Sequence, residues 1–330
     1  MEPEYEVEFT ERATREGWWV CTEGGGPNWE ATRERYIMTA SAMGALWNGA
    51  GYERTGAALD RIIHGEKRVF NAYTLRLLEE GKRMERTVLE TLLLNFWGLG
   101  TWKLSPGVFE FQLAGTKVGA SPDAVLWLGR HQIPVEVKWH ANGECKIPTP
   151  VGYFAQLYAQ MMATRATVGL YLGMAPGGEM WGAVFARSHV VDTKFHEQMH
   201  WFETQIELAK TRKLKFRSQV DEIEELRDAC TIWKQPNLTG LRDFLVARTK
   251  FDDVRGNTDM FDLERNAVAP TRPASPASPC ALPLPRGSPS RSRVDDRRSR
   301  SPSPRSGLLF EGGICTQLAE GDEEMEGTQE

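Results

Sequence analysis

The residues of this chain that could do chemistry concentrate between positions 118 and 138, which read V-G-A-S-P-D-A-V-L-W-L-G-R-H-Q-I-P-V-E-V-K. Two apolar runs with strand character, 124–128 and 133–137, flank a short turn of Gly129, Arg130, His131 and Gln132, the pattern of a hairpin. Residues two apart on a strand share a face, so Glu136 and Lys138 point the same way. Asp123 lies just before the partner strand, behind Pro122. Closing the hairpin therefore brings an Asp, a Glu and a Lys onto one small patch. Two carboxylates beside an ammonium are the equipment for binding a divalent cation and hydrolysing a phosphodiester. Each piece also has an ordinary account. Asp after Pro favours turns, and E-x-K is common on solvated edge strands with alternating charge.

The chain as a whole sets wide bounds. Its 330 residues allow about two domains, or one large domain with a tail. A hydrophobic fraction of 41% and 11 tryptophans suffice for a sizeable core. No apolar run approaches the roughly 20 residues a membrane helix needs. The acidic start M-E-P-E-Y-E-V-E lacks the layout of a signal peptide. Cys21, Cys145, Cys230, Cys280 and Cys315 are odd in number and scattered, which argues against a disulfide framework and a cysteine zinc site. An intracellular, reducing location is the expectation. Net charge is −5, and neither the first 250 residues nor the remainder is net basic, so any nucleic-acid contact must come from local patches.

The elements that would position the patch can be read along the chain. Residues 1–30 are polar and Gly-rich, with Trp18, Trp19 and Trp29, and are expected to form a loosely held arm whose aromatics dock on the core. In R-E-R-Y-I-M-T-A-S-A-M-G-A-L-W, Thr39 or Ser41 would cap a short helix over 42–47. Arg33, Arg35 and Ser41 are then either anion donors or plain surface and capping residues. Residues 72–97 carry a helical period, with a bend or break expected near Gly81. Val88, Leu89 and Leu92 recur at i+3, i+4 and i+7 from Glu85, which places this acid on the apolar stripe. A carboxylate there is costly unless paired, hydrogen-bonded or bound to a metal, or unless it snorkels to a rim. Glu79, Glu80 and Glu90 read as ordinary solvated acids. Residues 102–111 and 112–119 read as two strands, and a loop follows Lys138. An amphipathic helix spans 151–164, with Tyr153, Gln156, Leu157 and Gln160 on one face, where the glutamines are either functional or a polar edge. Strands are expected at 168–174 and 180–186, the second at a sheet edge, and a helix at 192–210. The basic run Lys210, Arg212, Lys213, Lys215, Arg217 either tracks a phosphate backbone or is a solvated helix end. His196 and His200 have zinc-like i,i+4 spacing, but no third ligand follows at matching spacing. From about residue 265 the composition changes. Residues 270–307 are Pro/Ser/Arg-rich and the last stretch, E-G-D-E-E-M-E, is acidic, so a disordered tail is expected, with Ser-Pro and Arg-Ser steps as candidate kinase sites.

Taken in order, I-M-T-A-S, E-G-K-R-M-E, G-A-S-P-D, V-E-V-K and Y-F-A-Q-L-Y-A-Q-M-M-A-T resemble the motifs of the lambda-exonuclease or YqaJ-type viral recombinase family. That family belongs to the PD-(D/E)XK nucleases and has the herpesvirus alkaline nucleases as relatives. The resemblance runs from about residue 33 to 217. It implies an α/β, restriction-endonuclease-like core with a central mixed sheet flanked by helices, the Glu85 and Gln156 helices bracketing the hairpin. The expected division is an arm (1–30), a nuclease domain (31–218), a C-terminal helical extension (219–265) and a disordered tail (266–330). The implied activity is Mg2+- or Mn2+-dependent hydrolysis of DNA, as a 5′→3′ exonuclease on linear duplexes in viral or mobile-element recombination and genome processing. A structure-preferring endonuclease on the same fold is the alternative, and a non-catalytic DNA- or protein-binding factor acting through the tail is the reading of a different class. By the resemblance, Asp123, Glu136 and the Val137 carbonyl would bind two ions, and Glu85 would complete the metal or water shell. Lys138 would orient or activate the attacking water, Gln156 would position the lysine or the water, and Ser41 would lie near the terminal phosphate. The family's arginine before T-A-S falls by count on Glu34, between Arg33 and Arg35, either of which reaches that role through a small shift. The implied partners are double-stranded DNA and a single-strand annealing protein, with no membrane, and the implied location is the host nucleus or cytoplasm. Oligomeric state stays open between the ring trimers of the phage relatives and the monomers of the herpesvirus ones.

Overall fold

A computed structural model describes residues 3–51, 53–66, 71–95 and 99–254. The tail expected from residue 266, and the end of the helix expected to reach residue 97, lie outside the described residues. In chain order the elements are α1 (Pro3–Arg15), β1 (Trp19–Cys21), α2 (Gly26–Arg33), β2 (Met38–Thr39), a 3-10 turn (Ala40–Leu46), α3 (Thr55–His64) and α4 (Ala72–Asn95). Then follow β3 (Thr101–Leu104), β4 (Val108–Leu113), β5 (Thr116–Ala120), β6 (Ala124–Leu128), β7 (His131–Trp139), α5 (Val151–Ala163), β8 (Val168–Met174) and β9 (Met180–Ala186). The described part ends with α6 (His189–Ala209), α7 (Val220–Cys230), β10 (Thr231–Gln235) and α8 (Leu241–Val254).

The protein is a mixed α/β structure with a six-stranded sheet in the order β10-β9-β8-β7-β6-β3 and a four-stranded sheet in the order β1-β4-β5-β2. In the larger sheet β7 and β8 run parallel, and the other neighbours pair antiparallel. A parallel step needs a crossover, and α5 supplies it. Strand alternation then sorts side chains onto two faces. Val125 and Trp127 join the core cluster that holds α5, while Ala124, Leu126, Ile133, Val135 and Val137 join the cluster holding Val88, Leu89 and Leu92 of α4 and Leu241 and Leu245 of α8. With odd-numbered residues of β7 committed to the α4 and α8 side, Glu136 and Lys138 face α5.

Several expectations change once packing is seen. Trp18 and Trp19 of the N-terminal segment dock on the core as expected, but the segment is regular structure (α1, β1 and α2) rather than loosely held. Trp18 and Trp19 are buried, Phe9 of α1 meets Trp18 edge-on at 5.1 Å, and β1 pairs with β4. Helix α4 runs unbroken through Gly81, which is buried; a lone interior glycine costs only about 1 kcal/mol against alanine, less than the packing of the helix contributes. The stretch 102–119 makes three strands rather than two, because Ser105 (φ 44°) and Gly107 (φ 104°) turn the chain once, and Ala114 (φ 52°) and Gly115 (φ 95°) turn it again. The first of the three, β3, pairs with β6, whereas β4 and β5 form a hairpin in the other sheet. Strand β9 is interior, since β10 covers its free side, so the segment after residue 218 contributes a strand as well as helices. The short helix near Ser41 is a 3-10 turn that begins at Thr39 without a side-chain cap; the Thr39 hydroxyl lies 3.1 Å from the Ser41 hydroxyl instead. The β6–β7 turn is shorter than expected, at Gly129 (φ 59°) and Arg130. Gln132 lies in β7, where its Nε2 donates to the Thr164 carbonyl at 3.0 Å.

Trp19 tests the N-terminal correction. Its Nε1 donates to the Pro106 carbonyl at 2.9 Å and its ring stacks on Phe109 at 4.9 Å. Trp19→Ala is expected to destabilise the protein by about 3–5 kcal/mol, read from urea denaturation, whereas a dispensable arm would give no shift.

Candidate active site

Closure of the hairpin sets the site. The β6–β7 register pairs Ala124 with Val135, so Asp123, one residue earlier, stands opposite Glu136. The Asp123 N–H donates to the Val135 carbonyl at 3.1 Å and its own carbonyl accepts the Ser105 N–H at 2.8 Å. Its Oδ2 accepts the Val137 N–H at 2.8 Å. Backbone and carboxylate are thus both tied down at the point where the ladder ends. Pro122, with no N–H to contribute, precedes it.

Glu136 is 0% exposed, so it is no solvated edge acid. Taking one charge out of water costs several kcal/mol unless it is paired and hydrogen-bonded. The neighbours meet that demand on both oxygens. Gln156 Nε2 donates to Oε1 and Gln160 Nε2 to Oε2, each at 2.6 Å, and the Lys138 ammonium pairs with Oε1. Charge-assisted bonds of this kind are roughly twice as strong as neutral ones. The two glutamines lie four apart on α5, so they present one face to β7. Gln160 also reaches the Ser121 carbonyl at 3.4 Å. Its own Oε1 and the Ser121 hydroxyl are buried with no hydrogen-bond partner among the described residues.

Around this pair the charges do not balance. Burial, then the fields of Glu136 and Glu85, push the Asp123 carboxyl well above its ordinary pKa against the pull of Lys138 and the Val137 N–H. Burial likewise raises Glu85, with Lys138 pulling it down and Glu136 pushing it up. Burial works against the Lys138 ammonium, but Glu136, Asp123 and Glu85 outweigh it and hold the lysine above its usual value. Lys138 is therefore a firmly charged donor, and its Nζ lies 5.7 Å from the Tyr153 ring centroid. Arg33, in the last turn of α2, stacks over Trp29 at 4.3 Å. Burial lowers its pKa while Glu136 and Asp123 act in the opposite sense, and a guanidinium stays charged throughout.

Asp123, Glu136, Lys138 and Gln156 thus come together, with Val137 contributing its N–H, and Glu85 and Arg33 feel the charges of this group. Between the two arginines flanking Glu34, the fold turns Arg33 toward the acids. Arg35 is exposed near Tyr36, whose hydroxyl donates to Glu110 at 3.0 Å. Ser41 is exposed against Thr39. The residue whose part was not foreseen is Gln160; its signal was the i,i+4 spacing from Gln156. His196 and His200 lie elsewhere: His196 Nδ1 accepts the Ala114 N–H at 3.1 Å, and the exposed His200 faces Glu203 at 3.8 Å. Among the described residues no three His, Cys, Asp or Glu side chains are set as a ready-made metal cage. Glu85, Asp123 and Glu136 are nonetheless hard oxygen donors whose combined charge exceeds that of Lys138 and Arg33. That donor chemistry fits Mg2+ or Mn2+.

No family model and no curated protein matches the chain. Several solved structures align with it, and two of them are of one protein. These two are those of an alkaline exonuclease, LHK-Exo from Laribacter hongkongensis, and of LHK-Exo in complex with dAMP; each is 17% identical over 61% of this chain and 96% of that chain, with TM-scores of 0.40 and 0.42.

Two measurements probe the site without any ligand. Gln160→Leu leaves one oxygen of a buried carboxylate without its donor, and a loss of about 1–3 kcal/mol is expected in denaturant titration. Asp123→Asn should act in the opposite direction. A carboxyl whose folded pKa is raised stabilises the fold when protonated and loses that contribution as pH rises through the folded value. Without metal, the asparagine variant is expected to exceed the parent by about 1 kcal/mol at mildly alkaline pH. The gap should shrink in acid, and a less stable variant at alkaline pH would show that Asp123 is not under repulsion.

Proposed function

We propose that this chain is a divalent-metal-dependent deoxyribonuclease that resects linear double-stranded DNA from its ends, in the 5′→3′ direction, during recombination or genome processing. The observation that carries the reading is the pairing of Asp123 and Glu136 across the end of one hairpin, with Lys138 locked beside them and a third acid, Glu85, within their field. Asp123, Glu136, Glu85 and the Val137 carbonyl would hold the metal. A bound Mg2+ or Mn2+ would supply Lewis-acid polarisation of the phosphoryl group.

The chain's own side chains divide the remaining work. Hydrolysis builds negative charge on the phosphate oxygens, and fixed positive charge in a dry site stabilises that charge at little reorganisation cost. The Lys138 ammonium is such a charge, held in place by Glu136 and the Tyr153 face. Gln156 and Gln160 keep the Glu136 carboxylate in one orientation. Arg33 offers a planar fork suited to phosphate oxygens, which makes it the candidate for gripping the terminal phosphate. A single-strand annealing protein is the partner this activity would serve.

End-labelled linear duplex and closed circular DNA, incubated with Mg2+, test the proposal. Linear DNA should shorten while circles stay intact, and Glu136→Gln and Lys138→Met should each slow the reaction by about 10²–10³-fold. Nicked circles would make the enzyme an endonuclease. Loss of neither substrate, or variants as active as the parent, would refute the catalytic reading. Mg2+ should also raise the unfolding midpoint of the parent by mass action, and raise that of Asp123→Asn less.

A further inference from the structure

Between α6 and α7 the chain carries Arg212, Lys213, Lys215 and Arg217, all exposed, while Leu214 and Phe216 between them are half-buried. This is the two-residue alternation of an extended chain, so Lys213, Lys215 and Arg217 project to one side. The inward residues and the backbone are anchored. Phe216 meets Trp201 of α6 edge-on at 5.5 Å and packs against the main core. Asn48 Nδ2 donates to the carbonyls of Phe216 at 3.3 Å and Arg217 at 3.4 Å, and the Gln219 N–H donates to the Asn48 carbonyl at 3.2 Å. Asn48 closely follows the 3-10 turn that packs with α5, the helix bearing Gln156 and Gln160. The row of cations is therefore tied to the same scaffold as the acidic site.

At the end of α6, Lys210 is paired with Glu207 at 2.7 Å. Among the described residues, Arg212, Lys213, Lys215 and Arg217 form no ion pair with a carboxylate. Like charges held together repel and cost stability, which a polyanion would offset. Alternate side chains on an extended chain recur at about 6.6 Å, from a rise of about 3.3 Å per residue. Successive phosphates on one strand of a duplex are offset by roughly 3.4 Å along the axis and lie further apart through space because the strand winds around that axis, so side chains at this spacing can each meet a separate phosphate.

We propose that Lys213, Lys215 and Arg217 form a fixed comb that grips the phosphate backbone of double-stranded DNA away from the bond being cut. The comb carries no base-reading group and contributes affinity without sequence preference. The proposal rests on the nuclease reading above and adds to it a second contact surface.

The test is the salt dependence of duplex binding by the full chain, measured in EDTA so that nothing is cut. The neutral triple variant Lys213→Gln, Lys215→Gln, Arg217→Gln is compared with the charge-conserving Lys213→Arg, Lys215→Arg, Arg217→Lys. The neutral variant should bind roughly tenfold more weakly at moderate salt, and its log–log salt slope should flatten by about 0.9 per lost contact. The charge-conserving variant should keep the parent's slope. A neutral variant with parental affinity and slope would overturn the comb while parental cleavage leaves the nuclease reading standing. A loss confined to single-stranded DNA would also overturn it. A parent that neither binds nor cleaves duplex DNA would remove both.

Discussion

The burial of one carboxylate, Glu136, in the middle of the central strand is the constraint on which the rest of the arrangement depends. A charge without water is tolerable only if donors surround it, and each surrounding element contributes one. Helix α5 must lie across β7 with two glutamines facing it. Lys138 must share the face of Glu136, and Asp123 must be fixed by the Val137 N–H rather than compete for the same donors. Were Glu136 solvent-exposed, none of these relations would be required.

The layering that meets this demand follows from a single parallel step. Strand β7 leaves the site, the loop 140–150 climbs over the sheet, and α5 returns the chain to β8. A buried guanidinium, Arg227 of α7, donates to the Thr149 carbonyl at 3.1 Å and so holds the start of α5 from the far side. Helix α4 packs on the opposite face through Val88, Leu89 and Leu92, which is why Glu85, on the same stripe, reaches the acids from the other side of the strand. The outcome is a stable scaffold around a destabilised centre. Three carboxylates outnumber two cations, and Asp123 is held protonation-prone by its neighbours. Excess negative charge in a site that would hold a divalent metal is the usual trade of stability for function.

Much of this was legible from local pattern. The apolar runs 124–128 and 133–137 about a short turn specified the hairpin, and the shared face of Glu136 and Lys138 followed because side-chain direction in a strand is a property of the backbone alone. The i+3, i+4, i+7 spacing marked Glu85 as misplaced on an apolar stripe for the same kind of reason. Strands 168–174 and 180–186 coincide with β8 and β9, since apolar, β-branched and aromatic runs bounded by turns leave little choice.

What the tertiary structure alone decided was partnership. Whether 1–30 was an arm depended on β4 being available to pair with β1. The turns that make β4 a separate strand carry Pro106-Gly107 and Gly115, ordinary turn punctuation, but that punctuation does not say which strand each segment pairs with. Whether Arg33 or Arg35 met the acids depended on where α2 ends relative to β7, elements far apart in sequence. Whether Gln160 was a polar edge or the second donor to Glu136 depended on which face of α5 lay against the sheet. Periodicity is encoded between near neighbours, so it can be read from the chain. The pairing of buried charges is settled by which faces the fold brings together, and that requires the whole packed molecule.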